Sequence, residues 1–225
     1  MGDPAGIGPE IVVKALTIKE TYEKCRPMVT GDAKVMEWAA KQLGADVKIN
    51  AIANVSEAKF EYGTIDVYDL NCIDMEQFEP GKVAPQCGNA AFVSIIKAIE
   101  LAMAGEVDGT VTAPLNKEAL NLAGHHFDGH TEIYAHFTGT KKYAMLLADE
   151  FLRVIHVSTH VSLREACDRV KKARIIEVTE LISDACKQFG IDNPRIGIAG
   201  LNPHASDGGL FGWEEEKEIL PAVEE

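Results

Sequence analysis

The chemistry in this chain begins with two histidines set in turn-forming strings. His204 closes Gly200-Leu201-Asn202-Pro203-His204 and is followed by Ala205-Ser206-Asp207-Gly208-Gly209. The apolar run Arg195-Ile196-Gly197-Ile198-Ala199 precedes it, so the spacing predicts an imidazole presented at the end of a buried strand. Open α/β sheets place their ligands at the carboxyl ends of strands. His160 has a matching setting after the β-rich run 151–158. Two neutral imidazoles at strand ends could share one divalent metal, although two ligands do not complete a site.

Other strings suit an anion. Gly2-Asp3-Pro4-Ala5-Gly6-Ile7-Gly8-Pro9-Glu10 is a glycine-rich turn running into a helix N-terminus, where free N–H groups attract negative charge. Its glycine spacing is not the dinucleotide-binding fingerprint. Thr112-Ala113-Pro114-Leu115-Asn116-Lys117 offers an ammonium and an amide after an expected strand, with a solvated Lys117 as the competing reading. Gly129-His130-Thr131-Glu132 opens a helix, where His130 and Thr131 could donate to an anionic substrate. Thr131 could equally be a helix cap. His125 and His126 are adjacent, so their side chains diverge, and His136 and His156 read as structural. No serine sits in a nucleophile elbow, and the catalytic residues stay unassigned.

The elements that must position these residues alternate short strands with helices, the pattern of a largely parallel α/β sheet. Strands are expected at 28–30, 46–53, 64–70, 108–112, 143–148, 152–158 and 195–200. Helices are expected at 10–16, 33–43, 88–104, 116–123, 131–137, 163–169 and 172–189, with a long loop over 71–86. Met1-Gly2-Asp3-Pro4 reads as the turn after a strand, and residues 214–225 read as a helix cut mid-element, so an incomplete fold is expected. The expected domains are 1–117 and 118–225, the second carrying the metal, substrate and dimer contacts.

Composition bounds the partners. The chain has 225 residues, 46% hydrophobic and 25% charged, as in ordinary globular proteins. A net charge of −13 argues against a nucleic-acid partner and requires locally arranged donors for any anionic substrate. Five scattered cysteines with no C-x-x-C pair suggest reduced thiols. No stretch approaches the roughly 18 apolar residues of a membrane span, and residues 1–25 lack a secretory-signal layout. A cytoplasmic protein without a membrane partner is expected.

Taken in order, the strings at 2–10, 112–117, 129–132, 158–163 (Ser158-Thr159-His160-Val161-Ser162-Leu163) and 200–204 resemble the 4-hydroxythreonine-4-phosphate dehydrogenase family of vitamin B6 biosynthesis and its threonate and erythronate 4-phosphate dehydrogenase paralogues. The resemblance covers the whole chain but only about the first two-thirds of a family member, less its first strand. It implies a two-domain α/β/α sandwich of the isocitrate and isopropylmalate dehydrogenase type, incomplete here, in a homodimer. It also implies NAD- or NADP-dependent oxidation of a phosphorylated hydroxy acid, with decarboxylation, aided by a divalent metal (Zn, Mg or Co). By motif, His130 and Thr131 would bind substrate, with Lys117 beside them, and His160 and His204 would be two of three metal histidines. The third lies in a motif that this sequence does not contain. Met1-Gly2-Asp3-Pro4 and Leu210-Phe211-Gly212-Trp213 look closer to the paralogues.

Two other readings are a non-catalytic remnant and a metal-dependent hydrolase or lyase. The second would use His160 and His204 with an acidic third ligand such as Asp207.

Overall fold

Strand and helix alternate from the start of the chain. The glycine-rich segment enters α1 (Gly8–Leu16), with Pro9 in the first turn, where its missing N–H costs little. A short helix not visible in the sequence pattern, α2 (Lys19–Lys24), follows; it buries none of its residues, so it has no apolar period to read. Then come β1 (Val29–Gly31), α3 (Ala33–Leu43), β2 (Lys48–Ile52) and β3 (Thr64–Asp69). Asp32 caps α3 by accepting from the N–H groups of Lys34 and Val35. Gly44 ends it at φ 61°, while Ala45 N–H bonds back to the Ala40 carbonyl.

The three strands form a parallel sheet in the order β1-β3-β2, with Val29 opposite Val67 and Ile49 opposite Ile65. Neighbouring side chains of a strand point to opposite faces, and Ile65, Asp66 and Val67 are all buried. The central strand is therefore covered on both faces, as parallel strands require. The buried Asp66 carboxylate accepts from Asn50 Nδ2 and from the N–H groups of Lys59 and Phe60. Val13, Val35, Met36 and Ala39 complete this core with Ile65 and Val67.

After the 71–84 loop, α4 (Pro85–Met103) runs beside β1, where Thr30 Oγ1 donates to the Ser94 carbonyl at 2.9 Å. It packs on α5 (Lys117–Leu122) and α6 (His130–Thr138) through Ile95, Ile99, Leu120 and Ile133.

The computed structural model describes all 225 residues, and they divide into two units, Met1–Gly139 and Thr140–Glu225. The second unit holds β4 (Leu146–Ala148), β5 (Arg153–Ile155), α7 (Leu163–Asp168), α8 (Lys172–Gln188) and α9 (Leu220–Glu224). A π-helical turn, Glu215–Ile219, leads into α9. Ile175, Ile219 and Ala222 form its core with Val157, Val170 and Ile198 packed around them.

Several expected strands are corrected. Residues 108–112 and 195–200 form none, and the expected strands at 143–148 and 152–158 shrink to β4 and β5, which pair antiparallel. A strand exists only by exchanging hydrogen bonds with a neighbour, and neither missing segment has one. Val111, in the first of them, is fully exposed. His160 and His204 consequently do not stand at strand ends: β5 stops at Ile155, and the segment before His204 is irregular.

Helices α4 and α5 cross closely at Gly88, where an added Cβ would fall 2.0 Å from the Ala119 carbonyl oxygen. Gly88→Ala improves helix propensity by up to about 1 kcal/mol, yet it drives a methyl into backbone, an overpacking that costs about 1–3 kcal/mol or more. Thermal unfolding should show a lower Tm for this variant; an equal or higher Tm would contradict the crossing.

Candidate functional site

The candidate residues fall in two places. In the first unit, the turn at the chain's start docks on the 112–117 segment. Asp3 N–H donates to the Pro114 carbonyl at 2.9 Å, and the Asp3 carboxylate accepts from Ala5 N–H at 2.8 Å. Burial raises the Asp3 carboxyl above the usual carboxylate range. Gly2 has φ 78°, and a Cβ there would lie 2.5 Å from the Pro114 oxygen. Two strings far apart in sequence are thus brought together by backbone.

Beside them, α6 begins at His130, after Gly129 in extended backbone. Thr131 therefore lies inside the first turn and is not the cap. Asn116 caps α5 through Ala119 N–H at 2.9 Å, leaving Lys117 as the first helical residue, exposed and in no ion pair. A small cavity of about 20 Å³ is lined by Gly2, Thr30, Ser94, Thr112, His130 and Tyr134 among others. That is room for about one water molecule. Tyr134 Oη donates to Thr110 Oγ1 at 2.8 Å.

His130 Nε2 is buried and has no hydrogen-bond partner. An unsatisfied buried polar atom costs about 1–3 kcal/mol, so this nitrogen calls for water or a ligand atom. Burial lowers the His130 pKa from 6.5, the nearby Met1 amino group adds to the lowering, and a bond to the Ala113 backbone opposes it. The ring is therefore neutral at neutral pH. The remaining histidines of this unit have other partners. His125 stacks on Phe92 at 3.7 Å and bonds Asn89, His126 bonds Asn121, and His136 packs on Phe127 and Phe137.

In the second unit, His160 is exposed at φ 54°, two residues before Ser162, which caps α7 through Glu165 N–H. His204 is exposed and begins a left-handed turn: His204, Ala205, Ser206 and Asp207 have φ of 54°, 50°, 72° and 46°. Gly208 and Gly209 continue it at 69° and 92°. A non-glycine residue in this region clashes with its own carbonyl, and such strain concentrates at functional sites. The turn is tied to the π-helical segment. Glu215 accepts from Leu201 N–H and Asn202 N–H, and the Asn202 side-chain amide reaches both Glu214 and Glu215. The Asn202 amide holds the Glu215 carboxyl below the usual range.

Sequence reasoning missed this role of Glu215, because Glu214-Glu215-Glu216 looks like the solvated start of a helix. The only signal was Asn202, a polar residue just before Pro203 that must find a partner. Neither His160 nor His204 has a hydrogen-bond partner, so their ring nitrogens are free to ligate. Exposed imidazoles suit a borderline divalent metal such as zinc. No group of three His, Cys, Asp or Glu side chains is gathered in the chain, so Asp207 does not complete a triad with the two histidines.

This mixed α/β fold matches solved dehydrogenase structures. The 4-hydroxythreonine-4-phosphate dehydrogenase from Burkholderia phymatum is 45% identical with a TM-score of 0.84 over 100% of this chain and 68% of that one. The enzyme of the same name from Klebsiella pneumoniae is 42% identical with a TM-score of 0.88, again over 100% and 68%. A Clostridium botulinum protein provisionally named D-threonate 4-phosphate dehydrogenase is 45% identical over 225 residues, 100% of this chain and 67% of the relative. The family described as pyridoxal phosphate biosynthetic protein PdxA matches residues 23–225. The chain belongs to the PdxA family, and it spans about two-thirds of the length of these relatives.

An NMR titration should find the His130 ring changing charge below pH 6.5. Because folding favours the neutral ring, its contribution to stability is complete above that pH. It is lost as pH falls through the folded-state midpoint. A midpoint at or above 6.5 would contradict the buried, neutral ring.

Proposed function

We propose that the chain serves an NAD- or NADP-dependent, divalent-metal-dependent oxidation of a phosphorylated hydroxy acid, followed by decarboxylation. Candidate substrates are 4-hydroxythreonine 4-phosphate and D-threonate or D-erythronate 4-phosphate. The observation that carries this reading is 45% identity over all 225 residues to a protein named for such a dehydrogenase. The working form is a homodimer of two-domain chains in an α/β/α arrangement of the isocitrate dehydrogenase type.

The substrate-holding residues are Lys117, His130 and Thr131. The free, buried Nε2 of a neutral His130 supports this: the ring's one N–H is spent on the Ala113 backbone, so Nε2 is left to accept from a substrate hydroxyl. Neutral His130 adds no charge, so Lys117 supplies the cation for a phosphate against a net protein charge of −13. His160 and His204 hold two positions on the divalent metal. When bound, that ion would acidify the substrate alcohol and polarise the carbonyl formed on oxidation. The nicotinamide would take the hydride, while the protein orients the substrate and excludes water around it.

The test is reduction of NAD or NADP, followed by absorbance, with each of the three substrates and with zinc, magnesium or cobalt. It uses an enzyme that includes the relatives' remaining third. Turnover of at least one substrate, abolished by chelator, is expected; a folded enzyme that turns over none would overturn the reading. His204→Ala should lower metal affinity at least tenfold, about 1.4 kcal/mol. Unchanged affinity would remove His204 from the ligand set. Lys117→Ala should raise KM about tenfold with little change in kcat.

A further inference from the structure

The left-handed turn that carries His204 stands on one buried carboxylate. Glu215 is 5% exposed and has no cationic partner, so hydrogen bonds alone compensate its charge. Its Oε1 accepts from Leu201 N–H at 2.8 Å and from Asn202 N–H at 2.7 Å. Its Oε2 accepts from the Asn202 amide at 2.9 Å, and that amide also donates to Glu214 at 2.8 Å. All of these bonds close on the two residues that enter the turn, immediately before Pro203.

The far side is closed as well. Ser206, itself buried, donates its hydroxyl to the Gly212 carbonyl, and Phe211 N–H donates to the Ser206 carbonyl at 3.3 Å. Gly209 leaves room for the Trp213 ring, which an added Cβ would approach to 2.7 Å. The result is an exposed imidazole on a strained backbone that is fixed at both ends by buried groups. Glu215 also opens the π-helical turn, a rare irregularity that clusters at functional sites. A helix start needing only an acid near its dipole would be served by an exposed carboxylate; burying one is costly and suits a more specific task.

We propose that Glu215 is a positioning residue for His204. Acting through Leu201, Asn202 and the rigid Pro203, its carboxylate sets the backbone from which the imidazole projects and keeps that imidazole poised for a metal. The link to metal rests on the ligand role proposed for His204; the positioning itself does not.

The experiment compares the unmodified chain with Glu215→Ala, Glu215→Gln and His204→Ala, using amide hydrogen exchange, histidine-ring NMR signals and calorimetry with cobalt(II). In Glu215→Ala the Leu201 and Asn202 amides should exchange at least tenfold faster. The His204 ring signal should shift or broaden while that of His160 holds, and cobalt affinity should fall at least tenfold. Glu215→Gln keeps one acceptor oxygen and should restore most of the protection and the ring signal.

Unchanged exchange and an unchanged His204 signal in folded Glu215→Ala would overturn the proposal. So would an equal loss of protection across the whole chain with His160 disturbed as much as His204, the mark of a merely structural role. If Glu215→Ala does not fold, Asn202→Ala, which removes only the amide donor, is read by the same exchange and ring signals. In an enzyme that includes the relatives' remaining third, no cobalt binding, or His204→Ala binding it equally tightly, would defeat the metal reading. Exchange and ring signals would still decide whether Glu215 positions His204.

Discussion

A backbone without a side chain at residue 2 is the constraint on which the candidate substrate pocket depends. Because Gly2 carries no Cβ, its chain lies against Ala113 and Pro114 closely enough for Asp3 N–H to reach the Pro114 carbonyl. That single approach joins the glycine-rich turn to the segment leading into α5. The long helix α4 supports the same region through Thr30 and Ser94, and α6 delivers His130 to its edge. The approach of the turn to the 112–117 segment is thus set by backbone geometry, which is stiffer than side-chain placement.

The second unit solves a different problem, presenting an exposed imidazole on a backbone that resists its shape. Each of the four left-handed residues from His204 to Asp207 costs about 1–2 kcal/mol. Each of the three hydrogen bonds to the Glu215 carboxylate returns about 1.5–3 kcal/mol. The two effects are of the same size, so the turn is tenable with Glu215 and unfavourable without it.

What the sequence revealed, and what it hid, follows from range. The helices expected at 33–43, 88–104 and 172–189, observed at 33–43, 85–103 and 172–188, were readable because a steady apolar period and a terminal Gly44 are local signals. Strands β1, β2 and β3 were readable because they are apolar and bounded by turns. The runs at 108–112 and 195–200 carry the same apolar signal, yet pairing needs a neighbour that sequence pattern does not supply. In the candidate site, residue types and order were enough to single out His130, Thr131, His160 and His204. The orphaned nitrogen of His130 and the buried hold of Glu215 on Asn202 depend on contacts between distant residues and had no local signature.

The central proposal is that the strings at 2–10, 112–117 and 129–132 together bind a phosphorylated hydroxy acid, the water-sized cavity beside His130 being only part of that surface. Its most direct test is a titration of this chain with D-threonate 4-phosphate, followed residue by residue in the NMR spectrum. The account predicts saturable shifts at Gly2, Thr112, Lys117, His130 and Thr131, with the amides of β2 undisturbed. Saturable shifts confined to other residues, or none at millimolar ligand, would contradict it.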